Sequence, residues 1–370
     1  VSSPDLTTPI PLKWVGPLRV SGEVDAELSV PLATYETPLW PSVGRGARIS
    51  TLVEGGIRAV VVDERMSRSV LLEADDAATA LAAWRWIEGN RAALQDVVAT
   101  TSRFARLVDL HAQIVGDLLF VRFELTTGDA SGHNMVTLAS ERLLDHILGV
   151  VPGVRYGSIS GNYCIDKKPS AVNGILGRGK NVVTEILVPR ELVEKRLRTT
   201  AKRVETLNIR KNLVGSLVAG ALRSANAHYA NMLLAFYLAT GQDAANIVEG
   251  SQGITLAEDR DGDLYFSCTL PNLIVGSVGN GKGLPGVEEA LTRLGCREER
   301  EPGANARRLA VLAAASVLCG ELSLLAAQTN PGELMRSHVV LERGAARPAA
   351  ASATAPGAGS APLADPGATA

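Results

Sequence analysis

Cysteine is scarce in this chain of 370 residues: four in all, Cys164, Cys268, Cys296 and Cys319, with no Cys-x-x-Cys pair. That spacing offers neither a zinc site nor the disulfide framework of a small secreted domain, and fits reduced thiols in a cytosol. A basic excess is also missing. Lys and Arg number 37 against 39 Asp and Glu, a net charge of −2, which argues against a nucleic-acid partner and leaves room only for local phosphate sites. Long hydrophobic runs are lacking too. The longest, LAVLAAASVLCG at 309–320, stops at Glu321, short of the roughly 20 residues that cross a bilayer. The opening stretch VSSPDLTTPIPLKW has no charged segment followed by an apolar one, the pattern of a secretory leader. The expectation is a soluble, cytoplasmic protein without a membrane partner.

What is present is a core. Hydrophobic residues make up 46%, enough for two domains or for one large core with a smaller insertion. The last stretch, 344–370, is Ala, Pro, Gly and Ser with almost no large apolar group, and reads as a disordered tail. IRAVVVDE and SVLLEA read as strands, DAATALAAWRWIEGNRAALQDVV as one long helix, LLFVRFELTTGDASG as a strand and MVTLASERLLDHIL as a helix. Together they suggest an α+β unit of split βαβ type. Beyond about residue 169 the chain reads as mainly helical, with a helix opened by Pro189 and one or two buried helices ended by Gly241.

The chemistry-bearing stretches are short. In SGNYCIDKKPSAVNGILGRGK, Asp166, Lys167 and Lys168 precede Pro169. Lys168 is therefore pushed away from helical geometry, and Pro169 suits the first turn of a following helix, whose entrance favours an anion. The plain alternative is a pair of solvated lysines. GSVGNGKG, 276–283, comes within one residue of a P-loop: Gly276, Gly281 and Lys282 match, but Gly283 stands where Ser or Thr must bind magnesium, and Pro285 and Gly286 interrupt any following helix. A nucleotide phosphohydrolase is thus only a remote alternative, and a tight turn the bland one. Asp129, Gly132 and Asn134 lie at a strand-to-helix junction, where ordinary turn chemistry suffices. His228 and Asn231 share a helical face and either satisfy core groups or line a cleft. Asp243 reads as a cap after the Gly241 stop.

In order, the blocks resemble one family. The SGNYC-DKKP stretch, KNLVGS, NAH-AN, GQDAAN, GELSLLAA and a late SH, together with TSRFARL and GDASGHNM, are similar to the soluble catalytic domain of class I 3-hydroxy-3-methylglutaryl-CoA reductase, over about residues 13 to 343. The resemblance implies an α+β fold: a large, mainly helical substrate domain (1–68 and 160–343) with an inserted ferredoxin-like, non-Rossmann NADP domain (69–159). It implies reduction of HMG-CoA to mevalonate and free CoA with two NADPH per turnover and no metal. A homodimer is implied at least, with a tetramer allowed and active sites shared between subunits. The rival within the same chemistry is the NAD-dependent oxidative direction, which Arg103 and the DKKP form disfavour.

By the same resemblance Lys167 meets the oxyanion formed when hydride adds to the thioester, Asp243 stays ionised and orients it, Glu36 donates a proton, and His338 protonates the CoA thiolate. Lys168, Arg68, Ser160, Asp166, Lys211, His228 and Asn231 surround the hydroxymethylglutaryl group. Ser42, Arg45 and Arg48 face the CoA phosphates. Ser102, Arg103, Phe104, Asp129, Ser131, Gly132 and Asn134 lie on the NADPH side with Gly276, Gly279 and Gly281 of the glycine loop. The chain departs from the family at Ser131 and His133, where methionines are usual, and at Asn280 and Lys282, where glycine and threonine are.

Overall fold

The computed structural model describes residues 8–335 and Val339. Among the described residues nine strands are formed: β1 (Leu12–Gly22), β2 (Ala26–Ala33), β3 (Ile57–Ala74), β4 (Arg106–Val115), β5 (Leu118–Thr126), β6 (Val154–Ser158), β7 (Gly179–Val188), β8 (Ile254–Arg260) and β9 (Asp263–Leu273). The first half of β3 lies in a sheet of order β2-β1-β3-β7-β9-β8, in which only the β1–β3 pair is parallel. Its second half belongs to a sheet of order β6-β3-β5-β4, wholly antiparallel.

Each sheet has its own core. Helices Leu39–Leu52, Tyr229–Ala239 and Ala304–Gln328 pack on the first sheet. Helices Ala77–Gly89, Arg91–Ala99 and His133–Val150 pack on the second, bringing Leu143 and Ile147 of the last helix into one cluster with Val70, Leu72, Val121 and Phe123 of the strands. The chain from β3 to β6 therefore runs β-α-β-β-α-β, with two consecutive helices in the first connection.

Helix Ala304–Gln328 is long and apolar enough to cross a membrane, but 94% of that window is buried inside the fold. The run counted in the sequence stopped at Glu321, and the helix passes straight through it because that carboxylate is paired. Its Cys319 carbonyl touches the first helix so closely that a Cβ on Gly46 would lie 2.1 Å from the oxygen. Only glycine fits that crossing.

Several expectations change. The large part of the molecule is mixed, not mainly helical: six strands organise it. β1, β2 and β8 escaped the sequence reading because Pro17 and polar residues interrupt their alternation. The two strands expected at 57–64 and 69–74 are one 18-residue strand, so the 68/69 boundary falls inside β3. The helix expected across 76–98 breaks at Asn90, and the one opened by Pro189 breaks at Arg198, which is left-handed at φ 57°. Apolar residues expected in a buried helix at 212–222 are instead outside, Leu217 at 79% and Val218 at 83% exposure.

Candidate active site

The Asp166–Lys168 loop is held from beneath by buried polar groups. Arg122, fully buried on β5, donates to the carbonyls of Tyr163 and Gly177 and to Asn173 Oδ1. The Asn173 amide donates to the carbonyls of Cys164 at 3.1 Å and Ile165 at 2.9 Å. Pro169 does not open the next helix. Ser170 caps it, accepting from the Asn173 N–H, and the helix is only Ala171–Leu176.

Lys167 Nζ lies 2.8 Å from Asp243 Oδ2. The hydrogen bond to Asp243 raises the Lys167 pKa above its ordinary value, burial opposing, with added attraction from Asp243 and Asp166. For Asp243, partial burial pulls upward, but Lys167 and the Ala245 N–H outweigh it and hold the carboxyl below its usual range. Asp243 Oδ1 accepts from Ala245 N at 3.0 Å, so one carboxylate caps a turn and grips the lysine. Both side chains remain open to solvent, at 40% and 45% exposure. Lys168 turns back to the Asp166 carbonyl at 3.1 Å. Arg178 bridges Asp166 at 3.0 Å and the buried Glu249 at 2.7 Å. His133 Nε2 sits 3.3 Å from Asn246 Oδ1 and 3.9 Å from Asp166 Oδ1. Burial first, then Arg178, lowers its pKa. Arg68 is half-buried on β3, its Nε without a partner, near the Ser69 carbonyl that anchors Gly161 beside Ser160.

A second group stands elsewhere. Glu36, Ser42, Arg45, His228 and Asn231 line a cleft of about 340 Å³ whose lining includes neither Lys167 nor Asp243. The expected meeting of Glu36 with Asp243 is therefore not made inside one chain. His228 Nε2 contacts the Gly320 carbonyl at 3.0 Å, and its backbone N–H donates to Glu321. Glu321, buried on the long helix, also accepts from Ala227 N and Thr255. Lys211 belongs to this side, donating to Asn212 at 3.0 Å, with its pKa lowered by burial against the pull of Glu321. Next to the cleft, a groove of about 870 Å³ collects Lys13, Arg45, Arg48, Lys195, Arg196 and Arg198 around Trp14 and Trp40. Ser42 bonds Ser323 at 3.3 Å instead of lining that groove.

The nucleotide-side residues divide. Arg103 stacks 4.7 Å over the Phe104 ring, and both line a pocket of about 340 Å³ with Arg106 and Arg307. Ser102 accepts from Phe104 N, a local turn. Asp129 has both oxygens occupied by the N–H groups of Gly303 and Ala306, at the start of the long helix, so its carboxylate is not free for a ligand. Its carbonyl accepts from Ser277 and Val278. That junction is tight: a Cβ on Gly276 would lie 2.4 Å from Ser131 N. Gly132, at φ 95°, starts helix His133–Val150, with Asn134 exposed on its first turn. Gly279 (φ 110°) and Gly281 (φ 79°) form the left-handed turn of the loop, and nothing lies within 4 Å of where a Gly279 Cβ would be.

Lys282 does not reach outward as a P-loop lysine would. It is buried and donates to the Gly241 carbonyl, with its pKa pulled down to about 8 by burial and by Arg297. A helix does follow, Pro285–Arg293, with the proline in its first turn. The obstacles to a P-loop are thus Gly283 and the direction of Lys282, not a missing helix. Among the described residues, Asp109, His111 and Glu124 cluster closely, but Arg91, Arg65 and Arg122 already pair their carboxylates; this is an ionic network. His338 and the tail at 344–370 lie outside the described residues.

Sequence reasoning missed Arg178, Glu249, Glu321 and the inward Lys282. The only signal available was a charged residue inside an apolar or glycine-rich stretch.

The chain is similar to known proteins. A family model for hydroxymethylglutaryl-coenzyme A reductase matches residues 7–343. The chain is 47% identical over 339 residues to the 3-hydroxy-3-methylglutaryl-coenzyme A reductase of Pyrococcus abyssi, covering 90% of this chain and 82% of that protein. It is 44% identical to the enzyme of that name from Methanothermobacter thermautotrophicus, covering 93% and 85%. In fold it is similar to the class II 3-hydroxy-3-methylglutaryl-CoA reductase of Streptococcus pneumoniae bound to NADPH, with a TM-score of 0.69 and 22% identity over 88% of this chain and 86% of that one. With a match across nearly the whole described chain and relatives alike along most of their length, the chain belongs to the hydroxymethylglutaryl-coenzyme A reductase family.

Proposed function

We propose that this chain reduces the thioester of 3-hydroxy-3-methylglutaryl-CoA to mevalonate and CoA with NADPH. The observation that carries the reading is the Lys167 ammonium held on Asp243, 2.8 Å away, at the mouth of the glycine loop. NADPH, when bound, supplies one hydride in each of two reductions. Addition to the thioester carbonyl places negative charge on its oxygen, and a positioned ammonium stabilises that charge. Asp243 keeps Lys167 protonated and aimed. Collapse of the hemithioacetal expels CoA thiolate, whose protonation is the role we give to His338, and Glu36 supplies a proton to the carbonyl oxygen.

The cofactor fits what is present. Arg103, Arg106 and Arg307 surround one pocket, and guanidinium groups suit a 2′-phosphate, which favours NADPH over NADH and the reductive direction. The β-α-β-β-α-β unit is a ferredoxin-like NADP-binding domain in this reading, and the cationic groove at Arg45 and Arg48 holds the CoA phosphates. The site is completed by a second copy. One chain offers Glu36, His228 and Asn231 on one cleft and Lys167 with Asp243 outside its lining, half open to water. An apolar face of Ile209, Val214, Leu217, Val218 and Leu222 stands uncovered nearby in sequence. A homodimer through that face is part of the proposal, and so is a cytoplasmic location, where the four free, buried cysteines stay reduced.

The test is stoichiometric. Purified protein should oxidise NADPH only when HMG-CoA is added, two NADPH for each CoA thiol released. No substrate-dependent oxidation with either nicotinamide cofactor overturns the reading; a strong preference for NADH reverses the cofactor assignment.

A further inference from the structure

Backbone strain is concentrated just before and at Lys167. Asn162 (φ 58°), Ile165 (φ 42°) and Lys167 (φ 57°) are all left-handed, and none is glycine. Side chains disfavour that region, so the surroundings must impose it. Asn173 and Arg122 hold the first part of the loop through its carbonyls. The second part rests on one carboxylate. Glu249, on the short helix Ile247–Gly250, is fully buried. It accepts from Arg178 at 2.7 Å and from Asn173 Nδ2 at 3.4 Å, and the backbone N–H of Lys167 stabilises its charge. Arg178 continues to Asp166. Glu249 is thus tied through Arg178 to Asp166, the residue before Lys167.

We propose that Glu249 is a positioning residue for Lys167: its ionised carboxylate locks the left-handed backbone that brings the ammonium onto Asp243. The inference rests on the reductase reading above and deepens it.

The lock titrates in the neutral range. Burial raises the Glu249 carboxyl from 4.5 to about 7; Asp166 pushes the same way, while Arg178 and the Lys167 N–H oppose. The other titratable group facing it is Tyr237, from helix Tyr229–Ala239, whose phenol burial keeps protonated. His133 acts one step further out, on Asp166. Below pH about 7 the carboxylate takes up a proton and its hold on Arg178, and through Arg178 on Asp166, weakens.

The test compares Glu249→Gln and Glu249→Asp with the wild type, using kcat and KM for HMG-CoA with NADPH across neutral pH. Glu249→Gln keeps the shape and loses the charge. At alkaline pH its kcat should fall about tenfold or more while KM stays within about threefold, since a misplaced group costs rate before binding. The wild-type acid limb should be absent from Glu249→Gln and partly restored in Glu249→Asp. Wild-type kcat with an unchanged acid limb in Glu249→Gln overturns the proposal. A second measurement needs no variant: hydrogen exchange of residues 162–168 in the wild type, at pH 6 and pH 8. Protection of that loop should drop selectively at the lower pH; equal protection, after correction for intrinsic rates, overturns the lock. The exchange result stands even if the protein oxidises no NADPH, so a failed lock and a failed reductase reading are told apart.

Discussion

Replacing Lys167 by glycine separates fold from chemistry. Lysine at φ 57° sits in the left-handed region, which costs an L residue about 1–2 kcal/mol and glycine nothing. Against that relief, glycine loses more backbone entropy on folding, roughly 0.5–1 kcal/mol. The ion pair with Asp243 is also lost, but with 40% and 45% exposure it is screened and contributes at most about 1 kcal/mol. These terms nearly cancel, so Lys167→Gly should melt within about 3 °C of the wild type. Activity should not survive. A single preorganised donor to an oxyanion is associated with about 10²–10³ in kcat, and a full positive charge contributes at least as much. The assay pairs thermal melting with HMG-CoA-dependent NADPH oxidation under saturating substrate. A kcat within about tenfold of wild type would show that Lys167 does not stabilise the oxyanion. A large loss of melting temperature would show that the left-handed backbone is not strained.

Three further outcomes are expected. Lys282, its pKa lowered from 10.5 to about 8, binds fewer protons folded than unfolded between those values, so wild-type stability should rise with pH across that window; chemical denaturation of Lys282→Met should show no such rise. Asp129→Ala frees the N–H groups of Gly303 and Ala306 and should cost about 1–2 kcal/mol, only partly recovered in Asp129→Asn, whose amide offers one acceptor oxygen for two N–H groups; unchanged melting with weakened NADPH binding would return Asp129 to a cofactor role. Mixing inactive Glu36→Gln and Lys167→Ala subunits by joint refolding should restore about a quarter of the wild-type sites if each site draws on two copies, and a mixture as inactive as its parents would place both residues in one chain's site.

Much of this arrangement was legible in the sequence, for identifiable reasons. The Asp166–Lys168 block and the Gly241–Asp243 stop are short contiguous stretches whose residue types announce a cationic loop and a capped turn. Their meeting was not derivable from spacing; it entered through the family pattern, and the chain brings them together across 2.8 Å. Strands such as β1 were invisible because a proline and exposed polar residues interrupt the alternation that marks a half-buried strand. Asp129 was placed on the ligand side, yet its oxygens are spent on a helix that begins far along the chain. No local pattern carries that information.

The buried acids show where such reading stops. Glu249 and Glu321 look, in one dimension, like surface residues punctuating apolar segments, because an ionised carboxylate belongs in water unless partners offset its desolvation. Those partners are Arg178 and Asn173 for one, Thr255 and the N–H groups of Ala227 and His228 for the other. None is a neighbour in sequence. The converse error occurs at Leu217 and Val218, read as core because they are apolar and found outside because nothing among the described residues covers them. Both misreadings have one physical source: hydrophobicity along a chain reports what a residue wants, and only the assembled molecule decides what it gets. For Glu249 the answer lies within one subunit, beneath Lys167. For Leu217 and Val218 the proposed homodimer would supply it, and it would also close water off from the half-open Lys167–Asp243 pair, since an ammonium stabilises an oxyanion strongly only where water is kept away.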